Sequence, residues 1–503
     1  MRERRLIIMK FGGTSVGTTE RFRQCAGIVC RALREDNVIV VVSAVAGITD
    51  LIFQTLEAAR KGDADLTEAN LRKFEKVHRE LIHELFEVQR AGRAMSFAAR
   101  LCDSFGASCR AILALACEIS AQTQDSVAAL GERISAWIFA NYLEQLGVEG
   151  RFVPAEEVIA TDSHFGNATP EIDATTARCR ETLLPCIAKR IVPVVAGYAG
   201  ADRLGRPTTL GRGGSDYSAT ILGRGCGADE VWIWTDVDGI LTADPRICPA
   251  ATSLPEISFT KAVELAYHGA KVLHPKAAYL AMESGIPVWI KNSFRPEVEG
   301  TRIVQNEMQK PASVQAIACV SNASLLTLLA RREIHASELF GRVLLCFAQA
   351  QVESLFATQS TSRRTLAMAI RREEGMRALK LVNTLLEFQI AHGALEPPGM
   401  ENDVSTITVL GDSPESYWSN MGRSFSRMAQ NRIRVIAMSQ GTSELNVSFA
   451  VPSSQCSEAV RIVHDGLFET ASQPPMPVTA AITPLHRGLG VEKIQARPPV
   501  MQD

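Results

Sequence analysis

Through the first 300 residues, short runs rich in β-branched side chains alternate with longer stretches whose apolar positions recur at helical spacing. Residues 6–11, 38–45, 191–197 and 230–236 are largely apolar on consecutive positions, the pattern of strands buried on both faces. Between them, residues 19–33, 51–61 and a long region from about 66 to 146 read as amphipathic helices. This alternation predicts an α/β fold, a three-layer αβα domain with a mainly parallel sheet. Its ligands are expected beyond the carboxyl ends of the strands.

After about residue 310 the pattern changes and then repeats. Ser324-Leu-Leu-Thr-Leu matches Ser405-Thr-Ile-Thr-Val, Gly341-Arg342 matches Gly422-Arg423, and Thr358-Gln359 matches Ser439-Gln440, always 81 residues apart. Each copy reads strand, helix, strand, turn, strand, so a small α+β unit is used twice. The predicted divisions are 1–305, 312–395 and 396–470. Residues 471–503 hold six prolines and no apolar period, and are expected to be disordered or loosely attached.

Composition narrows the function classes. Hydrophobic residues make up 46% and charged residues 21%, and the net charge is −2, which argues against a nucleic-acid scaffold or a polybasic membrane binder. The twelve cysteines include no CxxC pair, and with nine scattered histidines nothing has zinc-ligand spacing. Cys117, Cys186 and Cys346 lie in apolar segments and read as reduced core residues of a cytoplasmic protein. The run Leu6–Met9 is too short for a signal-peptide core, and no stretch approaches a membrane span.

Four segments carry candidate chemistry. Lys10-Phe-Gly-Gly-Thr-Ser15 follows a buried strand, where bare amides, a helix terminus and a lysine together suit phosphate oxygens; a plain tight turn is the alternative. Thr208-Thr-Leu-Gly-Arg212-Gly-Gly-Ser215-Asp216-Tyr-Ser218 places glycines around an arginine that suits a carboxylate, while Ser215 and Asp216 also suit helix capping. Trp234–Arg246 ends a strand in turns rich in Asp, Gly and Pro, able to wrap a nucleotide or simply to turn. His268-Gly-Ala-Lys271-Val-Leu-His274-Pro offers a second lysine, with its histidines read as packing or hydrogen-bonding groups. Ser43–Thr49 closes a strand, and Glu132 at a helix start could accept an ammonium or favour the helix dipole.

Two lysines, an arginine fork, glycine loops and a lone acidic acceptor, without a nucleophile–base pair, suit phosphoryl transfer, in which positioning and charge stabilisation dominate. A carboxylate acceptor is ionised at neutral pH and needs no general base.

With these strings in this order, and with the doubled C-terminal unit, the chain resembles the amino-acid kinase family and, within it, the aspartokinases with tandem ACT (βαββαβ) domains, over about residues 5–470. The resemblance implies ATP-dependent phosphorylation of the L-aspartate side chain, the entry step to lysine, threonine, methionine and diaminopimelate synthesis, with Mg²⁺ accompanying ATP. It implies that Lys10 and Lys271 contact the transferring phosphates beside Gly12 and Gly13, and that Arg212 holds the α-carboxylate. Thr49, Glu132, Tyr198, Ser215 and Asp216 would position the substrate, with Asp216 counted among the catalytic groups. Thr235, Asp236, Leu241 and Arg246 would line the nucleotide site, Leu241 standing where Tyr is common. No resident metal site is implied.

In the regulatory half, Gln359 and Gln440 resemble the effector contacts of the threonine-responsive type, although residues 329–337 lack the family's glycines and Arg363 stands where Glu is usual. A threonine or lysine effector and a homo-oligomer formed through the ACT units are therefore expected, with no homoserine dehydrogenase following. Two alternatives stay open: a catalytically silent amino-acid sensor, and a sibling kinase acting on another small carboxylate.

Overall fold

A computed structural model describes residues 4–468 apart from 116–117, 271–272, 307–315, 332–333, 361, 363, 412–413 and 442–445. Lys271, Cys117, Arg363 and the proline-rich tail thus lie outside the described residues. The N-terminal portion is built on an eight-stranded sheet. Its strands are β1 (Leu6–Phe11), β2 (Asn37–Val42), β3 (Gly150–Val153), β4 (Val192–Ala196), β7 (Glu230–Thr235), β8 (Glu256–Ser258), β9 (Val288–Asn292) and β10 (Thr301–Val304). A separate hairpin pairs β5 (Ala199–Ala201) with β6 (Pro207–Thr209).

The strand order is β3-β4-β2-β1-β7-β9-β10-β8, parallel from β3 to β9 and antiparallel only where β10 meets β9. Along β1 and β2 the consecutive apolar positions divide between two cores. Ile7, Met9, Phe11, Val38, Val40 and Val42 face one helical layer, while Ile8, Ile39 and Val41 face the other. This is why the strands read as unbroken apolar runs. Helices Thr19–Ala32, Ile48–Arg60 and Leu130–Gln145 cover the first face; Gly214–Cys226, Phe259–Tyr267 and Pro275–Ser284 cover the second. The expected three-layer α/β architecture is present. After β1 the chain forms β2 beside it, passes to the edge strand β3, fills the gap between them with β4, and then crosses to β7 on the other side of β1. The topological switch therefore lies at β1, where such sheets place ligands.

The C-terminal portion is one antiparallel six-stranded sheet, β12-β13-β11-β14-β16-β15. It consists of β11 (Ala316–Leu329), β12 (Ser354–Ser360), β13 (Thr365–Arg371), β14 (Gly399–Leu410), β15 (Ala437–Gln440) and β16 (Asn446–Pro452). The 81-residue offset is visible in it, since β13 and β16 begin at equivalent positions. Two helices cover each half, Ala336–Gln349 with Arg372–Leu385 and Pro414–Gln430 with Cys456–Phe468. The halves share their long strands. Ala323–Leu329 of β11 pairs with β13, whereas Ala316–Val320 pairs only with Leu410–Thr406 of β14, beside β16. The sheet curls enough for Ser439 Oγ on β15 to donate to the Ala357 carbonyl on β12, 3.1 Å away. Among the described residues no helix is long and apolar enough to cross a membrane.

Candidate active site

Four loops leave the carboxyl ends of β1, β2 and β4 and the β6 hairpin, and they meet in a cleft of about 330 Å³. Its wall includes Lys10, Gly13, Thr49, Glu132, Tyr198, Ser215 and Asp216, so seven of the residues read from five separate segments come together.

Lys10 is the fifth residue of β1 and is buried, with its ammonium 2.5 Å from Oδ1 of Asp216. Among the described residues that oxygen has no hydrogen bond of proper geometry, so the contact is an ion pair held by charge rather than by direction. Asp216 stands in the first turn of helix Gly214–Cys226, whose cap is Gly213 without a side-chain bond. Ser215 and Asp216 therefore do not cap the helix and are left to face the cleft. Gly213 is required on two counts: its φ is +70°, and a Cβ there would lie 2.4 Å from the His274 ring. Gly13 is required by contact, since its Cβ would lie 2.9 Å from the Ala44 carbonyl. The Gly12 amide donates to the Trp234 carbonyl at 3.1 Å, so it is tied to β7 rather than turned toward an anion.

Glu132 is the only carboxylate of the wall that is almost fully buried, at 3% exposure. Burial pushes it up to about 7, against the backbone hydrogen bonds and the Lys10 charge that favour the ionised form. Its Oε2 has no hydrogen-bond partner among the described residues. Tyr198 has φ +73°, costly for a residue with a Cβ, and is held there by its amide donating to Ser218 Oγ and its carbonyl accepting from Leu210. Burial raises its phenol, against a hydrogen bond with Thr209.

Sequence reasoning missed the braces behind this wall. Asp125 is buried and accepts from the amides of Gly166 and Thr209 and from Thr209 Oγ1, each at 2.8 Å. Lys276 Nζ donates to Asn167 Oδ1 at 2.5 Å, and that oxygen lies where a side chain on Gly211 would go. Both braces support the Gly-rich loop from outside it. Arg212, by contrast, is exposed and stands next to the wall rather than in it.

A second cleft of about 330 Å³ opens beyond β7 and includes Asp236, Leu241, Arg246 and Gly269. Thr235 is not in its wall; its hydroxyl donates to Asp236 Oδ1 at 3.2 Å. Arg246 is 79% exposed and grips Asp244 with two nitrogens. Ile317, Ala318 and Cys319 of β11 form the far side, so the C-terminal sheet supplies part of this cleft. His268 lies 3.5 Å from the Glu264 carboxylate, and His274 caps helix Pro275–Ser284 by accepting from the Lys276 amide. Gln359 and Gln440 are both exposed, on β12 and β15, the strands that Ser439 joins.

Residues 5–292 match the model of the amino acid kinase family, and residues 407–467 match an ACT domain. This chain belongs to the amino acid kinase family, among the aspartokinases. It is 31% identical to the lysine-sensitive aspartokinase 3 of Escherichia coli, covering 92% of this chain and 99% of that one. It is 30% identical to the chloroplastic aspartokinase 2 of Arabidopsis thaliana, over 92% and 84%. It is also 30% identical to a bifunctional aspartokinase/homoserine dehydrogenase of Haemophilus influenzae, but spans only 56% of that relative's length. Among solved aspartokinases, E. coli aspartokinase III in complex with aspartate and ADP (R-state) superposes with a TM-score of 0.78 at 28% identity, over 92% of this chain and all of that one. The same enzyme with lysine and aspartate (T-state) gives 0.75 at 27%, covering 92% and 99%.

Proposed function

We propose that this chain transfers the terminal phosphoryl group of ATP to the side-chain carboxylate of L-aspartate, giving 4-phospho-L-aspartate and ADP. One observation carries the reading: a small cleft holds a largely desolvated lysine–aspartate ion pair and, on the same wall, a buried carboxylate oxygen without a partner among the described residues. A molecule with an ammonium and a carboxylate a few bonds apart satisfies both ends. The E. coli neighbour, bound to aspartate and ADP, supports that choice.

In this reading Glu132 takes the substrate ammonium, Thr49, Ser215 and Tyr198 orient its polar groups, and Arg212 reaches the α-carboxylate from beside the wall. The side-chain carboxylate attacks the γ-phosphorus while the bond to the β,γ-bridging oxygen breaks, and ADP leaves with that oxygen. Lys10 neutralises charge on the transferring group, and Asp216 holds Lys10 in place. Gly12 and Gly13 keep the β1 loop close, while Thr235, Asp236, Leu241 and Arg246 bound the nucleotide. Lys271 is assigned a phosphate contact by its motif alone. Mg²⁺ would come with the ATP phosphates, whose charge it screens.

Residues 1–305 are proposed as the catalytic domain, with the ACT units falling in 312–395 and 396–470 and associating between copies of the chain. Feedback by lysine or threonine, with Gln359 and Gln440 as contacts, belongs to the same proposal. The lysine-bound neighbour supports the first effector, and the Gln-containing motifs the second. ADP release with aspartate, glutamate and acetylglutamate tests the assignment: aspartate alone should sustain turnover. Release with another acceptor would identify a sibling kinase, and none with any acceptor a sensor.

A further inference from the structure

Away from the first cleft, two thiols lie in contact. Cys319 Sγ, on β11, is 3.0 Å from Sγ of Cys456, the first residue of helix Cys456–Phe468, and both are free. Cys456 is buried. Cys319 is half-buried and lines both the second cleft and an adjoining cavity of about 510 Å³, which gives a small oxidant a path to the pair. The Cys319 thiol is pushed up by its bond to Cys456 and by burial, while the same bond and Ser405 hold Cys456 below the ordinary thiol range.

Both elements grip the loop 241–248, which walls the second cleft. On the β11 side, the Ile317 amide donates to the Thr242 carbonyl at 2.8 Å. On the helix side, His464 Nε2 meets Thr242 Oγ1 at 3.1 Å and Arg461 Nε donates to the Ile247 carbonyl at 3.0 Å.

We propose that Cys319 and Cys456 form a redox modification site, oxidised by a hydroperoxide to a disulfide that fastens the helix to β11 and fixes the loop between them. The Cys456 thiolate, reached past Cys319, attacks the terminal peroxide oxygen and becomes a sulfenic acid; the O–O bond breaks, and the other oxygen leaves as water or an alcohol with the proton Cys456 had given up. The Cys319 sulfur then attacks that sulfur. The S–S bond forms, the S–O bond breaks, and hydroxide departs as water with the Cys319 thiol proton. Two thiols lose two electrons and two protons, and the peroxide is reduced. The consequence for ATP rests on the nucleotide reading of the second cleft, whereas the disulfide itself does not.

The test uses the full chain, fully reduced, then treated with hydrogen peroxide, alkylated and mapped by mass spectrometry, with kinetics before oxidation, after it, and after dithiothreitol. A Cys319–Cys456 cross-linked peptide is expected, with the KM for ATP shifting by about threefold or more while the KM for aspartate holds, and dithiothreitol reversing both changes. Cys456→Ser and Cys456→Ala, checked for native melting, should lose the cross-link and the shift together. Free thiols at both positions after oxidation, or a cross-link confined to Cys179 and Cys226, whose thiols also bond each other, would overturn the site. A cross-link without any change in the KM for ATP would overturn the coupling. Loss of aspartate-dependent turnover in the reduced protein would count against the kinase reading instead.

Discussion

The ammonium of Lys10 sits 2.5 Å from the Asp216 carboxylate, joining the central strand of the sheet to the first turn of a helix in the covering layer. Their side chains are 11% and 19% exposed, so the pair is largely out of water and each charge depends on the other. Asp216→Asn should lower kcat by about 10²–10³ and also lower the melting temperature, because the largely buried Lys10 ammonium is left without its countercharge. Steady-state kinetics beside a thermal melt would check it, and an undiminished kcat would remove Asp216 from the machinery.

Glu132 makes the substrate step sensitive to pH. Burial raises its carboxyl to about 7, and only the ionised form receives an ammonium. The kcat/KM for aspartate should rise roughly tenfold between pH 6 and 8 and then level off. Glu132→Gln should lower the value and flatten the profile. Stability should run the other way. The folded state keeps a proton that the unfolded chain releases near 4.5, so this contribution is full below that pH and is lost as pH rises through about 7. Melts of the two proteins across that range should converge at the acid end.

Gly213→Ala places a Cβ on a residue with φ +70° and drives it into the His274 ring. A loss of about 2–3 kcal/mol of stability is expected, with a raised KM for aspartate. Urea unfolding gives the first quantity and initial rates the second.

Asp125 reaches the cleft through Thr209, which leads into the Gly-rich loop. Asp125→Ala leaves the buried amide and hydroxyl of Thr209, and the more exposed Gly166 amide, without their acceptor, costing about 2–4 kcal/mol. Its effect on kinetics should fall on the KM for aspartate more than on kcat, and Asp125→Asn should restore part of both.

Much of this was legible in the sequence, and the physical reason is locality. A strand buried on both faces must be apolar throughout, so β1, β2, β4 and β7 announced themselves, and with them the loops at their carboxyl ends. The repeat was legible because both copies solve the same packing problem. What was not legible depends on contacts far apart in the chain. The exchange of strand segments between β11 and β14 leaves no local mark, since either pairing satisfies the same alternation. Asp125 reads as an ordinary helical aspartate, and its partners are 41 and 84 residues away. Tyr198 gives no sign of its positive φ, which is imposed by Ser218 and Leu210. The wall that β11 adds to the second cleft was equally invisible.

The central claim is that Lys10 acts on the transferring phosphoryl group, and Lys10→Met tests it most directly. Calorimetry should show ATP bound within a few-fold of the parent protein, while aspartate-dependent ADP release falls by about 10³. A variant that folds, binds ATP and releases ADP at the parent rate would contradict the account.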